Sequence, residues 1–269
     1  MSQSAQKTKK NNSSSGYLPI IVIAINLVIA WLFFEYVCGN PKNFDEKGDP
    51  LPGNFLGIVY KGGFIVPELF ALLLTVVVFS IERFLTISKA KGNGSITGFV
   101  QKIKYNLSNG DIETALKDCD KQQGSVANVV NAGLHKYAEM RSDPDATMEQ
   151  KVLNIGKEIE EATSLEMPAL ERHLPILATA ASIGTLIALL GTVMGMIRAF
   201  SALATTGSPD PSALSAGISE ALVNTAIGIG TSALAIIMYN IFTGMIDKLT
   251  YGIDEMGFTI SQTFAAREK

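Results

Sequence analysis

The chain has 269 residues, a formal net charge of −3 and only two cysteines and two histidines. Its 47% hydrophobic content lies in four blocks, which points to a membrane protein over one or two soluble domains. The weak negative charge gives no basis for nucleic-acid binding. No Gly-rich phosphate loop, HExxH or Ser/His/Asp context is present, so nothing marks an enzyme or calls for a cofactor.

Residues 1–16 are polar, basic and rich in Ser and Asn, and read as a disordered tail. Tyr17–Phe34 is almost wholly apolar. No small-x-small cleavage site follows, and Glu35-Tyr36-Val37 lacks the small residues expected before a lipidated cysteine at Cys38. An uncleaved first transmembrane helix is therefore predicted over 17–37. Residues 38–60 carry Pro41, Pro50 and Pro52 with Asp45, Glu46 and Asp49, and form a loop.

A second span is predicted over 61–82, opening on Gly62-Gly63-Phe64 and Pro67-Glu68 and closing on Ile81-Glu82-Arg83. Glu68 lies in its outer part. There it serves either as an interfacial acid reaching headgroups or water, the plainer reading, or as a partner contact or accessory proton site.

Residues 83–173 form the sizeable soluble part, a helical domain. Phe99, Ile103 and Leu107 recur at helical spacing, as do Ile112, Ala115, Leu116 and Cys119 after an Asn109-Gly110-Asp111 turn. Val126–Met140 is a further striped helix. Thr147 and Gln150 have capping-box spacing at the head of a long helix, and Pro168 and Pro175 interrupt it before the third span. Glu158, Glu160, Glu161, Glu166 and Glu171 read as a solvated face or inter-subunit salt bridges in preference to a metal site. His135 and His173 read as surface or interface residues, and Cys38 and Cys119 as free thiols.

Two core spans follow, at 174–200 and 215–246, joined by a 201–214 loop and followed by an amphipathic tail at 247–269. Lys7, Lys9 and Lys10 in the tail and Arg83, Lys89, Lys91, Lys102 and Lys104 after the second span contrast with a 201–214 loop free of basic residues. The positive-inside rule puts both termini and the helical domain in the cytoplasm and both short loops outside. The fourth span is too long for the bilayer: 215–246 would measure ~48 Å against a hydrocarbon core of ~30 Å. Its end should project inward.

The two core spans carry the chemistry. Gly184, Ala188, Gly191 and Gly195 share one face of the third span, a groove for close helix packing, with Ser182, Thr185, Leu189, Thr192 and Met196 on the adjacent face. Ile218, Ala221, Thr225, Gly228, Ser232 and Ala235 form a stripe in the fourth. Glu220 is the sole acid in the two spans, and Asn224 lies one turn deeper, placed to orient it. Glu220 and Thr225 fall ~140° apart on an ideal helix. A threonine in a membrane helix often just bonds back to a carbonyl one turn earlier. Glu220 is either a proton station or a structural contact between protomers or to lipid, and the residues alone leave both open.

Gly191-Thr192-Val193-x-Gly195, then Ile218-Ser219-Glu220-Ala221-Leu222-x-x-Thr225-Ala226-Ile227-Gly228, then Tyr239-Asn240, resemble the MotA/TolQ/ExbB proton channel family, most closely its ExbB/TolQ branch. Two departures are Met194, where the family carries an aromatic, and Ile183-Gly184-Thr185, where it carries a Pro-containing run. The four apolar blocks predict an all-α integral membrane protein with four transmembrane helices, the first an addition to the three-span ExbB pattern, and with long helices extending into the cytoplasmic domain. The resemblance implies assembly as a homopentameric ring. It implies that Thr192 and Thr225 face the pore and that Glu220 is the functional glutamate. The candidate proton pathway then comprises Thr185, Thr192, Glu220, Asn224, Thr225 and Ser232, with Gly184, Gly191, Gly195 and Gly228 as packing residues. It also implies a single-span ExbD-like partner bearing a membrane aspartate, and a TonB-like periplasmic protein. Alternatives are a TolQ-type or flagellar or gliding stator subunit or, from another class, a passive scaffold.

Overall fold

The computed structural model describes residues 17–46, 48–205 and 211–267. The expected tail over 1–16 and the middle of the 201–214 loop lie outside the described residues. The regular structure of the described chain is all helical, with one isolated bridge between Phe44 and Pro50. Four of its helices are long and apolar enough to cross a membrane. The described residues divide into two compact units, those of 17–78 with those of 179–235, and 79–178 with 236–267.

In the first unit, α1 (Leu18–Phe33) opens with Pro19, whose missing N–H would be unpaired in a first turn anyway, and runs on into a π turn at Phe34–Cys38. Asn26 and Ala30 are buried, while most of the large apolar side chains are exposed, as suits a helix facing hydrocarbon. Asn26 donates to the Thr75 hydroxyl at 3.1 Å. The loop after α1 is ordered by Asn43, whose amide donates to the carbonyls of Val37 and Cys38. Asn54 caps the short α2 (Phe55–Tyr60), and the Tyr60 ring stacks on Phe34. A 3₁₀ turn at Gly63–Ile65 then leads into α3 (Val66–Ala90), on which Glu68 is exposed.

The second unit is built on α4 (Ile96–Asn109), α5 (Ile112–Gln122), α6 (Gly124–Ser142) and α7 (Met148–Glu171). Ser95 and Asp111 cap α4 and α5, and Gly110 closes α4 in the left-handed conformation. At the head of α7 the capping box forms as the spacing predicts: Thr147 N–H donates to Gln150, and Gln150 N–H to the Thr147 hydroxyl. Two helices complete the chain, α8 (Leu174–Thr205) and α9 (Pro211–Arg267). The last is a single helix of 57 residues, about 86 Å at 1.5 Å per residue. Its distal part supplies Ile253, Met256, Ile260 and Phe264 to the core of this unit, where Phe264 meets Tyr137 edge to face.

The α7–α8 junction departs from expectation in two ways. Pro168 does not interrupt α7; the break comes at Arg172 and His173, the latter at φ 67°, and Pro175 sits harmlessly in the first turn of α8. His173 is also not a surface residue. It is buried against the Phe79 ring, and its Nδ1 lies 3.1 Å from Glu82 Oε2. Arg83, fully buried beside it, donates to the carbonyls of Ala169 and Leu170. Those carbonyls end α7 and lack intrahelical partners, so a buried cation is what satisfies them.

Candidate functional site

Within the first unit α8 and α9 meet along a seam of small residues. The buried positions of α8 in this unit are Ala180, Gly184, Ala188, Gly191, Gly195 and Ala199; those of α9 include Gly217, Ala221, Asn224, Gly228, Ser232 and Ala235, with Glu220 and Thr231 buried as well. The seam is too close for larger side chains. A β-carbon added at Gly184 would lie 2.6 Å from Ser232 Oγ, and one at Gly195 2.7 Å from the Gly217 carbonyl. One at Gly191 would meet the Asn224 side chain at 2.7 Å, and one at Gly228 would overlap Ala188. Backbones that approach this closely gain dispersion contacts, the main source of helix cohesion in lipid.

The seam brings hydroxyls together in pairs. Thr185 Oγ1 donates to Ser232 Oγ at 3.0 Å. Thr192 and Thr225 are in direct hydroxyl–hydroxyl contact. Each also reaches a carbonyl one turn back, Thr192 to Ala188 at 3.0 Å and Thr225 to Ala221 at 2.9 Å. A hydroxyl has one proton to give and two lone pairs to accept with, so it cannot serve its carbonyl and its neighbour at once. The donor in this pair can alternate. That sets Thr192 and Thr225 apart from Thr231, whose hydroxyl donates to the carbonyl of Ile227 at 2.9 Å.

Glu220 and Asn224 part company. Asn224 is fully buried, but its amide donates to the Gly62 carbonyl at 3.0 Å and does not orient Glu220. Its Oδ1 has no hydrogen-bond partner among the described residues. Glu220 turns to α8, where Arg198 Nη1 donates to its Oε1 at 2.6 Å. The Arg198 guanidinium lies over the Phe64 ring, 5.5 Å from its centroid. Arg198 is not among the site residues expected from the sequence. Its signal was present, since a lone arginine in one core span facing a lone acid in the next calls for pairing in a medium that penalises both. Among the described residues no group of three or more His, Cys, Asp or Glu is placed to hold a metal ion.

Residues 121–255, half of the chain, match the MotA/TolQ/ExbB proton channel family. The chain belongs to that family. The matched region contains both core spans and the whole α8–α9 seam. Over 128 residues, 46% of this chain and 54% of the relative, it is 35% identical to a protein of Pseudomonas aeruginosa named Tol-Pal system protein TolQ. Over 89 residues, 32% of this chain and 42% of the relative, it is 35% identical to a putative biopolymer transport protein ExbB-like 3 of Synechocystis. A biopolymer transport protein ExbB of Salmonella typhimurium is 39% identical over 78 residues, 28% of this chain and 32% of the relative. The chain thus spans about half or less of the length of these relatives. As a family member with four apolar helices, it is an all-α membrane protein of a proton-channel class.

Proposed function

We propose that this chain is the ring-forming subunit of a motor driven by the proton-motive force in a bacterial inner membrane. It works with a single-span ExbD-like partner to energise TonB-dependent transport across the outer membrane. The observation that carries this reading is the paired hydroxyls of Thr192 and Thr225 in the α8–α9 seam, with the buried Glu220 on α9. Five copies would line a narrow apolar passage with hydroxyls able to hold water. Hydroxyls cannot act as charged stations at ordinary pH, so the route needs carboxylates: Glu220 from this chain and an aspartate from the partner.

Both termini and the helical unit lie in the cytoplasm on this reading, since lysine and arginine cluster there while the 201–214 loop has none. The voltage contributes ~2.3 kcal/mol per charge per 100 mV, and movement of the partner against the ring passes that work outward.

The TolQ relative favours a second reading, a Tol-type envelope complex built on the same channel. Purification of the tagged chain from its own membranes in mild detergent, with identification of what accompanies it, tests both. A small single-span protein with a membrane aspartate and a TonB-like protein support the uptake motor. A partner with a peptidoglycan-binding domain transfers the assignment to the Tol or stator type. Absence of any small partner overturns the motor reading.

A further inference from the structure

We infer that Arg198 is a positioning residue for Glu220 and that Phe64 and Gly63 complete a clamp around the pair. This rests on the reading of Glu220 as a station on the ion route. The Glu220 side chain is 8% exposed and that of Arg198 48%, so the acid lies inside the seam and the base on its rim. A carboxylate this far from water needs a fixed cation or donor, and one strong contact at Oε1 sets the plane of the whole group. Proton exchange then falls to Oε2.

Two neighbours fix the arginine and admit the acid. The face of Phe64 backs the guanidinium, a contact that suits a planar, weakly hydrated cation better than an ammonium. Gly63 has φ 76°, and a β-carbon there would sit 2.6 Å from Glu220 Oε1. Any other residue at 63 would strain the turn and push the carboxylate away. The 3₁₀ turn before α3 thus does two jobs in consecutive residues. Gly63 makes room for the carboxylate, and Phe64 holds the cation that orients it. Two elements, α8 and the 3₁₀ turn, converge on an acid carried by a third, α9. For a simple surface ion pair, neither the backing ring nor the left-handed glycine would be required.

The test is proton flux into liposomes carrying the full chain co-purified with its own small partner, with ring assembly followed separately by native mass measurement. R198Q should lower flux about tenfold or more while the assembly stays intact, because a misplaced reacting group loses rate steeply. R198K, which restores the charge but not the planar group that stacks on Phe64, should recover only part of that loss, and F64L, which keeps the pair and removes the ring, should fall between R198Q and wild type. Flux of R198Q within twofold of wild type, with assembly intact, overturns the clamp. Should R198Q fail to assemble, F64L decides, and unchanged flux in that variant overturns the proposal. E220Q separates the two layers: wild-type flux in E220Q removes Glu220 from the route and the clamp with it. Loss in E220Q without loss in R198Q removes the clamp alone.

Discussion

Thr185 on α8 donates to Ser232 on α9 at 3.0 Å, and seven residues further along each helix lie Thr192 and Thr225, themselves in contact. Seven residues make about two turns, so the pairs stand ~10 Å apart along the seam. The spacing repeats because the helices run antiparallel and their small residues keep one register over that distance.

If this ladder conducts, its hydroxyls are replaceable in shape but not in chemistry. Thr225→Val and Thr192→Val keep the β-branched volume and remove the exchangeable proton. Each should lower proton flux several-fold with the oligomer intact, as read by a pH-sensitive dye inside proteoliposomes. Thr231→Val, whose hydroxyl bonds to its own helix, should leave flux within twofold of wild type. Equal effects at all three positions would return the threonines to a packing role.

Gly228 has its counterpart in Ala188, and no space remains between them. Gly228→Ala should force the seam apart at a cost of about 1–3 kcal/mol, the usual range for overpacking. Thermal unfolding in detergent should report the loss. Gly230 faces open space, so Gly230→Ala should change the midpoint little or raise it.

Asn26 ties α1 to α3 through Thr75, whose own hydroxyl donates to the Ala71 carbonyl at 2.7 Å. Replacing Asn26 by Leu removes a buried interhelical hydrogen bond, which is worth about 0.6 kcal/mol in membranes and at most ~2. Limited proteolysis of the loop at residues 39–54 should quicken slightly. Removal of α1 as a whole also takes Phe33 from the edge of the Phe70 ring, and should destabilise the unit far more.

Cys119 is buried in the second unit, and burial, with Asp120 and Asp118 beside it, pushes its thiol up from 9.0 to about 12. Thiolate is the reactive form, so the folded protein should resist alkylation at pH 8 and react promptly once unfolded. The linkage has a definite sign. Below pH 9 both states keep the proton and stability is unaffected. Between 9 and about 12 the unfolded chain ionises first, so stability falls as pH rises through that window. Rapid labelling of native protein at pH 8 would contradict the buried placement.

Much of this was legible in the chain. Four apolar blocks became four long helices, and the Thr147–Gln150 spacing became a closed capping box, because both depend on short-range pattern. Glycines at helical spacing announced a close seam, since only close approach explains so many small residues in lipid. The single unbroken α9 was legible as an excess of length.

The tertiary structure decided the rest. One-turn spacing assigned Asn224 to Glu220, yet its amide found the Gly62 carbonyl, a residue 162 positions away, because an unpaired backbone acceptor competes strongly for a buried donor. Arg198 became the partner of Glu220 only when α8 and α9 were laid together. His173 looked like a polar residue in a polar region, until the turn at Arg172 carried it under Phe79 and Glu82. Local pattern fixes which residues share a helix face; it does not say which group from a distant helix will meet that face, because burial makes each polar group bond to the best partner that packing brings within reach.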